Sequence, residues 1–229
     1  MVKAITNHIQ VGAYSFERKR SSIIGRSEFT KVYRGRNTDT GEDVVIKVLN
    51  KTNNEKHKEK VIERLEIHKR LIHKNIVRLL HYELIEDEFF IVYEFCDKGN
   101  LHNLLKQSYN VCDEELLKLM SECAASINLL HRQWPKIVHK NIRPKSFLVK
   151  SSSEVQILKL SLGSHWLEDG LEVSNLQAPE LYGDEEVIAY GTQLQQVDIF
   201  SLGVLFLMMI IHKPREDLNI PQGDLIDLS

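Results

Sequence analysis

Residues 139–149 read His-Lys-Asn-Ile-Arg-Pro-Lys-Ser-Phe-Leu-Val, and they are the most informative stretch of the chain. A polar, basic loop runs into a short apolar segment, which predicts a β-strand at about residues 146–150. Two positions in the loop, Asn141 and Ser146, carry neutral polar side chains. An amide cannot act as a carboxylate base, and a Ser hydroxyl is a weak ligand for magnesium. At these two positions the loop therefore lacks both a base and a strong metal ligand.

The composition is that of an ordinary globular chain: 42% of residues are apolar, 27% are charged and the formal net charge is -2. This charge does not favour nucleic acid or an anionic membrane as a partner. Cys96, Cys112 and Cys123 are odd in number and lack metal-type spacing, which indicates a reducing compartment. Residues 1–20 have no apolar core, so no signal peptide is expected, and residues 199–211 are too short to span a bilayer. We therefore expect a cytoplasmic protein without membrane insertion.

Strand patterns come first along the chain and helical patterns dominate afterwards, which predicts an α+β fold. Residues 14–50 alternate like an antiparallel sheet, and an amphipathic stripe at Val61, Leu65, Ile67, Leu71 and Ile72 predicts a helix. The later elements are predicted as strands at 76–80, 88–94, 146–150 and 155–160 and as helices at 101–107, 112–132 and 194–211. Asp113 is the expected N-cap of the long helix.

Residues 139–149 resemble the protein kinase catalytic loop, His-Arg-Asp-Leu-x-x-x-Asn, and the order of motifs resembles protein kinases over about residues 20–211. The resemblance implies a bilobal fold with a five-stranded N-lobe sheet plus a helix and a mainly helical, truncated C-lobe. It implies one domain over 1–229, with the N-lobe at about 14–95 and the C-lobe at 96–229.

Three catalytic slots of that family are occupied by other residues here. Asn141 stands where kinases carry the Asp base, Ser146 where an Asn holds magnesium, and Ser161 where the Asp of Asp-Phe-Gly binds magnesium. The resemblance therefore predicts a pseudokinase: no catalytic residues, no metal site and no enzyme activity.

The nucleotide site also departs from the kinase pattern. Lys47, which ends Val-Val-Ile-Lys, matches the phosphate-pairing lysine, and by resemblance Val32, Val45, Glu94, Cys96 and Leu148 complete a vestigial site. Val45 replaces a small Ala and Tyr93 falls at the bulky gatekeeper position, so both crowd the base. Ser27 and Thr30 replace glycines over the phosphates. We therefore expect weak or absent ATP binding and no cofactor.

Several structural slots of the family can be placed as well. The helix position that should pair with Lys47 falls on Arg64, flanked by Glu63 and Glu66. Either a flanking Glu takes over by a small register shift, or the ion pair is absent. Asp198 matches the residue that braces the catalytic-loop backbone, and residues 178–180, Ala-Pro-Glu, end the activation segment. The apolar surface of the last helix is either a partner surface or is covered by the tail.

Residues 139–149, through Ile142, Arg143 and Phe147-Leu148-Val149, resemble the mixed lineage kinase domain-like pseudokinases of necroptosis, and two further segments support this resemblance. They are residues 27–35, Ser-Glu-Phe-Thr-Lys-Val-Tyr-Arg-Gly, and 91–101, Ile-Val-Tyr-Glu-Phe-Cys-Asp-Lys-Gly-Asn-Leu. The short chain resembles virus-encoded homologues that lack the four-helix bundle. That resemblance implies a decoy in the host-cell cytoplasm that sequesters a host necroptotic receptor-interacting protein kinase and inhibits necroptosis. The alternatives are a scaffold or nucleotide-sensing switch in another pathway, or an unconventional kinase using Lys47 and Arg143.

Overall fold

The computed structural model describes residues 8–27, 29–49, 54–107, 112–133, 137–152, 155–163, 167 and 195–211. The chain divides into two compact units. The first comprises Met1–Asp97 with Ser161–Leu176, and the second comprises Lys98–Leu160 with Gln177–Ser229.

The first unit is an antiparallel sheet with one helix. Its strands are β1 (His8–Val11), β2 (Tyr14–Glu17), β3 (Ile23–Arg26), β4 (Thr30–Asn37), β5 (Asp43–Leu49), β6 (Leu79–Ile85) and β7 (Glu88–Glu94). The order is β1-β2-β4-β5-β7-β6, and β3 pairs with β4. The sheet thus has seven strands where five were predicted, because residues 8–17 form an additional hairpin.

This additional hairpin packs on one face of the sheet. Val11 and Phe16 are buried against Tyr33, Ile46 and Phe90, and all five side chains are at most 3% exposed. The strand alternation predicted for residues 14–50 is confirmed, since every second residue of β5 enters this core. The hairpin therefore supplies apolar cover to a sheet face that the five predicted strands would leave open.

Helix α1 (Glu55–Arg70) is the long helix of the first unit, which also contains a short 3-10 turn at Arg20–Ser22. Asn54 caps it by accepting a hydrogen bond from the backbone N–H of His57. Val61 and Leu65 are fully buried, as the predicted stripe requires. Ile72 was assigned wrongly to that stripe: the helix ends at Arg70, and the Ile72 side chain is 82% exposed.

The second unit combines helices with a small hairpin. Helices α2 (Leu101–Gln107), α3 (Asp113–His131) and α4 (Gln195–Ile211) accompany strands β8 (Phe147–Ser152) and β9 (Val155–Leu160). Helix α3 packs on both β9 and α4. The predicted N-cap is off by one residue: Cys112 occupies the cap, and Asp113 is the first helical residue, where its charge favours the helix dipole. Among the described residues, no helix is long and apolar enough to cross a membrane.

Candidate functional site

Lys47 lies near the end of β5, directly opposite Val32 on β4 and Ile91 on β7. Its residue is only 9% exposed. The ammonium nitrogen lies 5.3 Å from the ring centroid of Tyr93, within the range of a cation–π contact. The structure therefore places Val32, Lys47 and Tyr93 close together in the first unit.

Tyr93 fills the space beside that lysine. Its residue is 5% exposed, and Val45 is its direct cross-strand partner. Burial raises the pKa of the phenol, so the hydroxyl stays protonated. Within the described parts of the chain this buried hydroxyl has no hydrogen-bond partner. Val45 and Tyr93 thus stand where the sequence predicts crowding.

His68 is a site residue that the sequence interpretation missed. It lies on α1, is 1% exposed, and its ring centroid is 5.5 Å from that of Tyr93. Burial, with a smaller effect of the Lys47 charge, lowers the pKa of His68 to about 4. The neutral ring therefore donates through Nε2 to the carbonyl of Val77 at 2.9 Å. The sequence offered one signal for His68: it follows Arg64, the position expected to pair with Lys47, by one helical turn and so lies on the same helix face.

Glu63 and Glu66, the acidic residues that flank Arg64, lie in two different environments. Glu66 accepts a 2.7 Å hydrogen bond from the hydroxyl of Tyr82. Burial and then this carboxylate raise the pKa of Tyr82 to about 12. Glu63 is exposed, and Arg64 is half-buried. Burial and then the charge of Arg64 lower the pKa of His57 on the same helix.

Ser27 and Thr30, which stand where the family pattern has glycines over the phosphates, are hydrogen-bonded to each other. The N–H of Ser27 donates to the Thr30 carbonyl at 2.9 Å, and the N–H of Thr30 donates to Ser27 Oγ at 3.1 Å. The two hydroxyl oxygens are 2.7 Å apart. Gly25, the retained glycine, pairs with Val32. These two amide donors are already used inside the turn and are not directed at a ligand.

The last strand of the sheet is fixed at its end by Glu94. Its residue is 7% exposed, and its Oε1 accepts a 2.8 Å hydrogen bond from the N–H of Arg78. Its own N–H donates to the Arg78 carbonyl at 3.0 Å. Cys96, two residues later, is half-buried and forms no disulfide. In this unit Glu94 thus has a structural role, and its backbone N–H is already occupied.

In the second unit, the loop at residues 139–146 folds on itself. Ser146 donates its hydroxyl hydrogen to the carbonyl of Asn141 at 2.7 Å, and the N–H of Asn141 donates to His139 Nδ1 at 3.2 Å. The Oδ1 atom of Asn141 is buried and has no hydrogen-bond partner among the described residues. Both side chains named by the sequence thus lie in one loop, where the Ser146 hydroxyl closes its backbone.

Asp198 holds this loop from helix α4. Its residue is 0% exposed. The carboxylate accepts the N–H of His139 at 2.7 Å, the N–H of Lys140 at 2.8 Å and a bond from His131 Nε2 at 2.9 Å. Lys140 has φ 62, a left-handed conformation that needs such support. The predicted bracing role of Asp198 is confirmed.

The remaining predicted positions are distributed over both units. Leu148 is half-buried on β8, opposite Lys159, in the second unit. Ser161 is half-buried, and Leu162 after it is 1% exposed and packs as a core residue. Residues 178–180 lie outside the described residues. No group of three His, Cys, Asp or Glu in the described parts could hold a metal ion.

Comparison with known proteins decides the family. The family model of the protein kinase domain matches residues 18–219. The chain belongs to the protein kinase domain family. A solved structure, Rad53 1-466 in complex with AMP-PNP, superposes with a TM-score of 0.68 at 21% identity, over 86% of this chain and 48% of that one. The predicted α+β, protein-kinase-like fold is confirmed, with two strands more than expected.

Relatives of this kinase domain come from distant organisms. A putative leucine-rich repeat receptor-like serine/threonine-protein kinase of Arabidopsis thaliana is 31% identical over 87% of this chain and 23% of its own length. Human serine/threonine-protein kinase ULK1 is 24% identical over 93% of this chain and 21% of its own length. Aurora kinase of Schizosaccharomyces pombe is 26% identical over 86% of this chain and 55% of its own length. The chain thus spans between about a fifth and just over half of these relatives.

This membership contradicts the prediction that the chain is not an enzyme. The relatives are named as kinases, and the comparisons do not show a loss of catalytic residues. The prediction rested on three side chains taken singly, Asn141, Ser146 and Ser161, whereas the family match extends over the whole fold. It was therefore too strong an inference from three positions. The narrower resemblance to the necroptosis family stays a prediction.

Proposed function

We propose that this kinase domain acts by binding a receptor-interacting serine/threonine kinase of a host cell, and that this binding inhibits necroptosis. The proposal rests on the resemblance of residues 27–35, 91–101 and 139–149 to the necroptosis family. One structural observation carries it further: Asp198 and the Ser146 hydroxyl both hold the backbone of the loop at 139–146 in shape. A loop held in this way keeps the form of a kinase domain for another protein to recognise.

Helix α1 is the surface we expect to take part in this contact. It presents Ile62, which is 37% exposed, beside the exposed Glu63. An exposed apolar residue next to a charge is a common contact at the border of an interface. Leu117 on α3 offers a matched control, because it is also an exposed aliphatic residue on a helix but lies in the other unit.

Affinity purification with receptor-interacting kinases of candidate hosts tests the proposal. We expect the chain to retain one of these kinases, Ile62→Asp to lower the affinity about tenfold, equivalent to ~1.4 kcal/mol, and Leu117→Asp to have no effect. Cells expressing the chain should also survive a necroptotic stimulus. Failure to associate with any such kinase would make the proposal wrong.

A second candidate function is phosphoryl transfer. The names of the relatives, which are serine/threonine-protein kinases, favour it. The measurement is transfer of labelled phosphate to a protein substrate by wild type, Lys47→Ala and a control, Lys60→Ala, which changes an exposed lysine. Transfer that is lost only in Lys47→Ala supports this candidate. A rate equal to the protein-free blank rules it out.

A further inference from the structure

We infer that the C-terminal end of helix α1 is a docking surface for an acidic protein segment that carries an apolar side chain. The surface, called here the basic knob, consists of Lys69, Arg70, Ile72 and Lys74. The inference goes beyond the proposed function, because it names a ligand chemistry and does not depend on which kinase the chain binds.

The apolar centre of the basic knob is Ile72. At 82% exposure it is the most exposed of the large apolar residues in the described part of the chain. Its backbone is nevertheless ordered: its N–H donates to the Arg70 carbonyl at 3.0 Å, and the preceding Leu71 is buried at 4% exposure. A partner that buries this aliphatic side chain gains hydrophobic stabilisation that the fold itself does not gain here.

A single exposed isoleucine is common on protein surfaces, so the charges around it carry the argument. Lys69, Arg70 and Lys74 are all exposed. No carboxylate among the described residues forms an ion pair with any of the three, although Lys69 lies 6.0 Å from the Tyr82 ring. Four other basic residues of the same unit form ion pairs: Arg18 with Glu88, Lys19 with Glu17, Arg34 with Asp43, and Lys58 with Glu55 and Asp87. Cations without an ion pair to a described carboxylate also occur elsewhere in the unit, as at Lys31 and Lys60, so the clustering of three of them around Ile72 is what distinguishes this surface.

The helix dipole explains only part of this clustering of basic residues. Lys69 and Arg70 lie in the last turn of α1, where a cation interacts favourably with the helix dipole. Lys74 lies beyond the helix, and the dipole accounts for neither its position nor the exposure of Ile72. The combination is a positive surface with an apolar centre at the end of a helix.

This chemistry fits an acidic peptide segment better than a membrane. Carboxylates on either side of an apolar residue can meet the three cations, and Arg70 can bind one carboxylate in bidentate geometry. Surfaces that bind anionic lipids usually gather about four to eight basic residues, more than the three found here. Charge complementarity and the single aliphatic centre therefore favour a protein partner.

Fluorescence anisotropy with a labelled peptide, Glu-Asp-Leu-Glu-Asp-Leu, tests the basic knob. We expect binding that weakens at high salt, falls about tenfold in Ile72→Ser and is lost when Lys69, Arg70 and Lys74 are all changed to Ser. Leu117→Ser, another exposed aliphatic residue, should bind as wild type. A second peptide, with Ser in place of Leu, should bind wild type more weakly than the first peptide does. The Ile72→Ser variant should bind the two peptides equally.

Because all four side chains are exposed, the circular dichroism spectrum should match wild type in every variant. Only the triple variant should melt at a slightly lower temperature, since it loses two cations from the last turn of α1. Vesicles of phosphatidylcholine with phosphatidylserine provide the second arm, and no binding is expected. Equal peptide affinity for wild type and the triple variant would overturn the inference. Binding to the vesicles with no binding to the peptide would also overturn it and assign the surface to lipid.

Discussion

Buried hydrogen bonds to a charged side chain hold parts of this chain in place. Asp198 is the clearest case, because one carboxylate at 0% exposure accepts two backbone N–H groups and a bond from His131. Hydrogen bonds to a charged acceptor contribute more than neutral ones, about 1.5–3 kcal/mol each. The left-handed Lys140 depends on this support.

Replacing Asp198 with Asn should therefore destabilise the chain strongly. The amide keeps one acceptor oxygen and turns an NH₂ group toward donors that need an acceptor. We expect the free energy of unfolding to fall by about 2–4 kcal/mol in urea titrations. Glu114→Gln, which neutralises an exposed carboxylate on α3, should cost less than about 1 kcal/mol. Equal effects of the two variants would contradict the bracing role.

Protonation of His68 should make stability depend on pH. Burial lowers its folded-state pKa to about 4, whereas the unfolded chain titrates near the ordinary value of 6.5. Between these values the unfolded chain binds more protons, so stability is complete above about 6.5 and falls as the pH drops toward 4. Over this window we expect a loss on the order of 3 kcal/mol, measured by urea unfolding at several pH values.

The matched variant is His68→Gln, which can still donate to the Val77 carbonyl but does not titrate between pH 4 and 7. It should show a flatter profile over the same pH range. An unchanged slope in this variant would assign the pH dependence to other groups.

At the scale of elements, sequence patterns located most helices and strands and missed what long-range packing decides. The predicted α2 and β9 match the observed bounds, because apolar periodicity and flanking turn residues mark them locally. Strand β1 was missed, since its four residues gain their partners only when the hairpin folds onto the sheet. Ile72 was misplaced because periodicity alone cannot show that the helix ends two residues earlier.

Replacing a glycine with alanine should lower the free energy of unfolding in strand β4 and raise it in helix α4. A Cβ at Gly35 on β4 would lie 2.7 Å from Ile46 Cδ1 and 2.9 Å from the Ser15 carbonyl oxygen, which belongs to the added hairpin. A Cβ at Gly203 on α4 meets nothing within 4 Å. We expect Gly35→Ala to lower the free energy of unfolding by about 1–3 kcal/mol and Gly203→Ala to raise it by up to about 1 kcal/mol.

Thermal and urea unfolding of both variants measure this difference. Limited proteolysis should also cut residues 8–17 faster in Gly35→Ala, because the clash involves the hairpin backbone. A stabilised Gly35→Ala would contradict the close packing of hairpin and sheet.

For the whole molecule, the sequence predicted the family fold and part of the site. Asp198 braces the loop as its motif predicts, and the motif residues Lys47 and Tyr93 lie close together, whereas their role at a nucleotide site stays a prediction. His68 and the internal bonds of Ser27 with Thr30 depend on packing and turn geometry, which motif spacing does not encode. The enzyme prediction failed because single side chains were given more weight than the fold.

The proposed weak ATP binding follows from the first unit considered as a whole. The amides of Ser27 and Thr30 are used internally, Val45 stands opposite Tyr93, and Lys47 lies against the Tyr93 ring. A ligand at about a tenth of its Kd stabilises a protein by less than ~0.1 kcal/mol. We therefore expect no change in melting temperature with ATP at physiological concentration, with or without magnesium, in a thermal-shift assay.

Val45→Ala tests the steric part of this argument, because Val45 is half-buried and its truncation widens the space beside Tyr93. We expect a larger ATP-dependent shift in this variant than in wild type, although the variant itself melts at a lower temperature by the loss of about 1 kcal/mol. Val48→Ala removes the same atoms from the opposite face of the strand, in the hairpin-covered core, and should gain no ATP response. A clear rise in the melting temperature of wild type with ATP, with or without magnesium, would contradict weak binding.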